Sequence, residues 1–524
     1  MLQIKQNHVA EWVVPQGPAT VTAPGGETCT LRSFQKADGD WYVRYASPQT
    51  GIHTWRAGDA SGTLEVMLYE GDNPLYKHGA VRSNGKYLEH ADGTPFFWLA
   101  DTWWMGLTTR LPYPDGIAEL AHDRVEKGFT AVQIVAGLYP DMPPFDPRGK
   151  NEAGFPWKEG FTDINPAYFD AADKKITYII EQGLMPCIVA CWGYYADFCG
   201  KDVIRRHWDE LLARWAAYPV MWCIAGEVFS PFYNNPGILD GSLSREAYTE
   251  RIRAVWVELT EHVRREDPFR RLITAHAPQD DNMTIDVDMP VDVHMLETAH
   301  EGLFGIITNV KKVREALDRG ATPLINAEIN YEGICGSCFA DVQRYTFLSD
   351  IMMGCCGHTY GANGIWQFNT REAPYGPSPH GNSWGDLPWQ DAYKLLGSTH
   401  VGRIKKFFTR FPWWALEPHP EWVARPCNEE TLNGLFCVGI PETLRIVYLP
   451  YFGWAFYGQQ EMRELDGPYY AYYYCIASDE LLYLGMAKPD DTGRWVSPPT
   501  PLQHDWLLAL TKTPLQWAGG SAHK

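Results

Sequence analysis

What this chain of 524 residues lacks narrows its class before anything it contains. No apolar run approaches the ~20 residues that a membrane-spanning helix needs. The opening stretch MLQIKQNHVAEWVVP has neither a basic start leading into a continuous apolar segment nor a small-residue cleavage site. The expectation is a cytoplasmic protein with no membrane partner. Positive charge is also short: 45 Lys and Arg against 64 Asp and Glu give a formal net charge of -19. A phosphate backbone calls for the opposite sign, so nucleic acid is excluded as the expected partner. Gly-x-Gly-x-x-Gly, the P-loop, His-x-His and His-Glu-x-x-His are all absent, which removes the usual signatures of dinucleotide, nucleotide and zinc-protease chemistry. The expectation is that no cofactor is required.

What is abundant points the other way. Aromatic residues reach 14%, with 22 Trp and 28 Tyr. Flat apolar faces carrying a polar edge suit ligands that present C–H faces and hydroxyls together, so a neutral carbohydrate is the expected substrate. The 12 cysteines lie mostly inside apolar runs, as at Cys187, Cys191 and Cys223, and read as buried thiols in a reducing compartment. Cys335-Gly336-Ser337-Cys338 and the vicinal Cys355-Cys356 are read in the same way, because they do not open a helix of a thioredoxin-like unit.

Along the chain the hydrophobic period changes twice. Residues 1–72 hold short alternating runs such as WYVRYAS and GTLEVMLYE, expected to form a small β-sandwich. Ala91-Asp92-Gly93 marks a tight hairpin at the entrance to the next domain. From there to residue 412, continuous apolar runs alternate with segments at helical period, the pattern of strands buried on both faces by helices. Eight such runs fall at 95–101, 129–136, 184–192, 220–227, 272–277, 291–298, 323–330 and 357–368. Between them Ile204, Trp208, Leu211, Leu212 and Trp215 share one helical face, as do Ile252, Val255, Trp256, Leu259 and Val263. The expected fold class is α/β: a (β/α)8 TIM barrel flanked by small N- and C-terminal β-sandwich domains, the last spanning 413–524. The Tyr469–Tyr474 run is expected to be exposed, and with it a homo-oligomer.

In such a barrel, chemistry belongs at the C-terminal strand ends. There the sequence offers Asp101, Trp103, Trp104, Gln133, Trp192, Glu227, His276, His294, Glu328, Tyr331, His358, Asn363 and Trp366. Glycoside cleavage needs two carboxyl groups across the anomeric carbon, about 5–5.5 Å apart where configuration is retained. Glu227 and Glu328, closing strands four and seven, are the expected catalytic pair, with the other residues holding the sugar. Glu227 follows the apolar run WCIAG, so burial should keep it protonated. Of Trp103 and Trp104, adjacent in sequence, one is expected to face the sugar.

The stretches GDNPLYKHGAVRSNGKYLEHADGTPFFWLADTWW, EKGFTAVQIV, PLINAEINYEG and GHTYGANGIWQF resemble the apiosidase-like glycoside hydrolase family, a barrel preceded by an immunoglobulin-like domain. The resemblance implies a retaining, exo-acting glycosidase with Glu328 as nucleophile and the strand-four carboxylate as acid/base. Family members tend to carry Gly-Gly-Asp there, whereas this chain has Ala225-Gly226-Glu227. A pentofuranoside is the glycone the resemblance favours; composition and spacing do not distinguish it from a hexose. Two alternatives stay open: a non-catalytic carbohydrate-binding protein, and a metal-dependent hydrolase using His276, Asp292, His294 and His300.

Overall fold

The computed structural model describes residues 2–277, 289–298, 300, 302, 304–428, 431–451 and 459–517. Near the N-terminus, strands at Leu2–Lys5, Ala60–Met67, Gly51–Ala57, Ala19–Thr22 and Thr28–Leu31 form one sheet. Ala10–Val14, Trp41–Tyr45 and Phe34–Gln35 form a second. Alternation does the work expected of it: Ala10, Trp12 and Val14 turn inward onto Val21, Val43 and Leu64 while their neighbours face outward. A charged cluster joins this sandwich to the barrel. Arg44 reaches Asp173 at 2.6 Å, and Trp215 Nε1 donates to the same carboxylate at 2.7 Å.

The hairpin at Asp92-Gly93 is present, with Gly93 at φ 89° and Leu88–His90 paired to Pro95–Phe96. Eight parallel strands follow: β1 (Trp98–Thr102), β2 (Ala131–Leu138), β3 (Met185–Cys191), β4 (Met221–Cys223), β5 (Ile273–Thr274), β6 (His294–Glu297), β7 (Leu324–Glu328) and β8 (Gly357–Tyr360). Their order around the sheet runs β5, β4, β3, β2, β1, β8, β7, β6. The seam between β5 and β6 is closed by individual bonds: Asp292 N–H donates to Ile273 O at 2.8 Å, and Ile273 N–H to Asp292 Oδ2 at 2.9 Å. β1 and β2 run on past the ends of their apolar runs, whereas the other six strands stop short, and the residues that finish those runs bend away into the loops that build the site. Run 357–368 leaves the sheet at Tyr360.

The two helical faces read from spacing are observed. Ile204, Trp208, Leu211, Leu212 and Trp215 are buried on helix Lys201–Trp215. Ile252, Trp256, Leu259 and Val263 are buried on helix Arg245–Glu266, with Val255 partly so. Ser244 caps the latter, its side chain accepting from Ala247 N–H.

The C-terminal domain has a six-stranded sheet and a two-stranded one. An interior strand of the larger sheet, Tyr469–Cys475, corrects an expectation: Tyr469, Tyr472, Tyr473 and Tyr474 are buried, not exposed. Tyr469, Ala471 and Tyr473 pack inside the sandwich, while Tyr472 and Tyr474 join the barrel's hydrophobic core. Tyr474 stacks on Phe407 with ring centres 4.7 Å apart. Aromatic residues on both faces of one strand here mean burial from two sides, and the surface on which self-association was expected is already covered. Among the described residues no helix is long and apolar enough to cross a membrane.

Candidate active site

A pocket opens at the C-terminal ends of the barrel strands, lined by Trp104, Trp192, Glu227, Glu297, Glu328 and Tyr331 among others. Its floor follows from local chain geometry. Glu227 adopts φ 38° directly after Gly226, a left-handed conformation that few non-glycine residues take. Gly226 lies against the face of Trp192, where a Cβ would come within 2.3 Å of the ring. The missing side chain therefore lets the indole lie beside the strand-four carboxylate. Trp104 meets Trp192 edge to face at 5.4 Å, and its Nε1 donates to the Tyr331 hydroxyl at 3.0 Å.

Around Glu328 the polar groups interlock. His300 Nε2 lies 2.9 Å from Glu328 Oε1, and His276 Nε2 lies 3.3 Å from Oε2. Glu297 is held between the same two rings, 3.8 Å from each. Burial alone would raise the Glu328 pKa, but the imidazoles of His276, 3.3 Å away, and of His300, hydrogen-bonded at 2.9 Å, hold it down at about 2. Glu227 goes the opposite way: burial first, then the negative charge of Glu328, push its pKa up to about 7. Burial and Glu328 raise the Tyr331 hydroxyl as well, so it stays protonated beside that carboxylate.

His276, Glu297 and Glu328 offer donor atoms within 4.8 Å of one another and could hold a cation. Of the four residues considered for a metal-dependent hydrolase, His276 and His300 converge here. Asp292 instead closes the barrel seam and pairs with Arg264 at 3.1 Å. His294 opens β6 rather than ending it, and so sits at the far end of the strand from the pocket.

Of the sequence-derived site residues, the structure brings Trp104, Trp192, Glu227, Glu328, Tyr331 and Trp366 to the pocket, with His276 against Glu328. The others are placed elsewhere. Asp101 accepts from Arg124 Nε at 2.5 Å and from Trp103 Nε1 at 2.8 Å, all three buried. Gln133 crosses the barrel interior to Ala327 O at 2.9 Å. His358 Nδ1 contacts Asp350 at 2.7 Å, and Asn363 accepts from Gln367 Nε2 at 3.0 Å.

The loops supply what sequence reasoning missed: Asp141 after β2, Tyr233 after β4, and His380 and Trp384 after β8. No hydrophobic period marks these segments. Gly381-Asn382-Ser383-Trp384-Gly385 spells Gly-x-Ser-x-Gly, yet it runs through an irregular loop rather than the strand-to-helix turn that makes a serine elbow.

Residues 82–415, well over half of the chain, match the family described as "Apiosidase-like, catalytic domain". The chain belongs to that family. Membership of the apiosidase-like family makes it a glycoside hydrolase and its substrate a carbohydrate. Among solved structures it is similar to a glycoside hydrolase at 21% identity and TM-score 0.66, covering 85% of this chain and 99% of that one. A family 5 glycoside hydrolase from Bacteroides vulgatus gives 20% and 0.66, covering 85% and 95%. A putative glycoside hydrolase from the same organism gives 15% and 0.68, covering 98% and 100%. At these identities the structural likeness speaks for the fold: a TIM barrel with flanking β domains. No curated protein matches the chain.

Proposed function

We propose that this apiosidase-like protein is a retaining, exo-acting glycosidase for neutral glycosides, with Glu328 as nucleophile and Glu227 as acid/base. The observation that carries the reading is two carboxyl groups lining one pocket in different surroundings, Glu328 between two imidazoles and Glu227 in a left-handed turn beside Trp192. At neutral pH Glu328 is an anion held by two imidazoles, while burial and the Glu328 charge favour a proton on Glu227. Double displacement needs that pair of states. Glu227 gives its proton to the leaving oxygen as Glu328 attacks the anomeric carbon. Glu227, now a carboxylate, takes a proton from water, which displaces Glu328 and restores both groups.

Exo action is supported by the closed shape of the mouth. Asn234 Nδ2, on the loop after β4, donates to Pro379 O at 2.9 Å on the loop after β8. Strands four and eight lie opposite each other in an eight-stranded barrel, so this bond spans the mouth. The cavity of about 210 Å³ is smaller than the ~300–1,000 Å³ of pockets for drug-sized ligands. That suits one terminal glycosyl unit. A cytoplasmic setting is part of the same proposal, since Cys187, Cys191, Cys223, Cys355 and Cys356 are buried free thiols suited to a reducing compartment.

The test is to trap the intermediate. A 2-deoxy-2-fluoro glycoside with a good leaving group should add one glycosyl mass to the chain, and peptide mapping should place it on Glu328. Rapid turnover with no adduct, together with inversion at the anomeric carbon seen by NMR, would overturn the mechanism.

A further inference from the structure

Asp141 is a carboxyl group of the pocket that the catalytic cycle does not use. It follows β2 in the turn Tyr139-Pro140-Asp141-Met142 and has φ 56°, a left-handed conformation that aspartate tolerates better than most residues. Several groups fix it there. Trp384 Nε1 donates to its Oδ2 at 3.1 Å, and Ser378 Oγ donates to the same oxygen. Arg148 Nη2, itself bound to Asp146, reaches the Asp141 carbonyl at 3.3 Å. The Tyr375 hydroxyl ties the neighbouring Pro140 carbonyl at 3.1 Å.

Against this fixed carboxylate stand three rings. His380 meets Trp384 edge to face at 5.6 Å and Tyr233 at 5.2 Å, and all three line the pocket with Asp141. No lysine or arginine is among the lining residues, which include four carboxyl groups: Asp141, Glu227, Glu297 and Glu328. A carboxylate held in place beside aromatic faces can accept hydrogen bonds from sugar hydroxyls while a ring packs the C–H face. Its orientation is set before the ligand arrives, so binding need not freeze it.

We infer that Asp141 is the specificity-determining residue of the pocket: it accepts from hydroxyls of the non-reducing terminal glycosyl unit and restricts the enzyme to neutral, unsubstituted terminal sugars. A uronate, sulfate or phosphate on that unit would meet the carboxylates of Asp141 and Glu328 with no lysine or arginine among the described lining residues to pair with it. This inference rests on the glycosidase reading above for its turnover arm, but not for its binding arm.

The experiment compares wild type with Asp141→Asn, which keeps the shape and an acceptor for Trp384 while removing the charge. The probes are 4-nitrophenyl glycosides of neutral pentoses and hexoses, their monodeoxy counterparts, and the matching uronides. For the best neutral substrate, one deoxy position should cost wild type tenfold or more in kcat/KM. In Asp141→Asn the parent and that deoxy substrate should differ by less than twofold, and the preference for neutral over uronide should shrink. Equal losses on parent and deoxy substrates would leave Asp141 a loop staple and overturn the inference. Saturation-transfer NMR of the free neutral sugars with Glu328→Gln, alone and combined with Asp141→Asn, reads binding without turnover. Binding abolished by Asp141→Asn in a protein that cleaves nothing would sustain the recognition role and sink the glycosidase reading. Binding unchanged by Asp141→Asn in a protein whose wild type cleaves glycosides would do the reverse.

Discussion

The floor and the wall of the pocket are built by different means. The floor carries Glu328 as the last residue of β7, with His276 and Glu227 just beyond β5 and β4, where His276 N–H donates to Ala225 O at 3.1 Å and Val228 N–H to His276 O at 3.0 Å. The wall, carrying Asp141, Tyr233 and Trp384, belongs to irregular loops that bond to one another across the mouth. The contrast teaches where each job is lodged. Groups that must stay in fixed relation during bond breaking sit on the most rigid part of the fold, and groups that choose the substrate sit where a loop can change without disturbing the barrel.

Damage to the floor should therefore strike kcat whatever the substrate. The largest effect is expected of Glu328→Gln, with kcat/KM falling at least ~10⁴-fold on every glycoside, measured as initial rates with aryl glycosides. Glu227→Gln should come next, at ~10²–10⁴-fold. Its loss should be smallest on substrates whose leaving group needs no proton, and added azide should restore turnover of these. The same carboxyl sets the alkaline side of the pH profile. Its pKa is raised to about 7 and the protonated form is the active one, so wild-type kcat/KM should fall as pH rises through about 7. A flat profile through that range in wild type would break the assignment.

His300→Ala should cost roughly 10–100-fold, the range of a hydrogen bond to a charged group. It removes a donor that keeps Glu328 ionised. The nucleophile pKa should therefore rise from about 2 toward the ordinary carboxylate value, and the loss should be greater at pH 4.5 than at pH 6.5. The mildest change should be in the wall. Asn234→Ala removes the bond across the mouth and should leave stability within about 0.5 kcal/mol, as a surface substitution does. Small aryl glycosides should be cleaved nearly as before, while chromatography of oligosaccharide digests should reveal some internal cleavage. An unchanged product pattern would show that the bridge does not enforce exo action.

The same division explains what was legible in the sequence. Eight buried strands announce themselves as apolar runs, and the acids that close the fourth and seventh are read from position alone. Asp101 sits near the end of β1, His358 second in β8 and Asn363 just beyond it, and their side chains meet Arg124, Asp350 and Gln367 rather than the pocket. Those partners are distant in sequence or carry no periodic signal, so run endings do not separate lining from bracing. His294 fails for a related reason: β6 starts at that residue, so the apolar run is longer than the strand it marks. Asp141 and Trp384 were out of reach because loops have no period, and their partnership spans 243 positions of chain. The tyrosine run was misread because surface and two-sided burial look alike until the neighbouring domain is in place.

That last feature bears on how the protein can be divided. Tyr472 and Tyr474 belong to the barrel's core although the chain reaches them only after the barrel is finished, and Arg344 of the barrel pairs with Asp505 at 2.7 Å. The C-terminal sandwich is thus not a detachable cassette. A chain cut after residue 412 would leave the Phe407 side of its last barrel helix bare to water, an apolar patch prone to aggregation. Swapping parts among relatives should move barrel and sandwich together, with the mouth loops as the pieces to exchange.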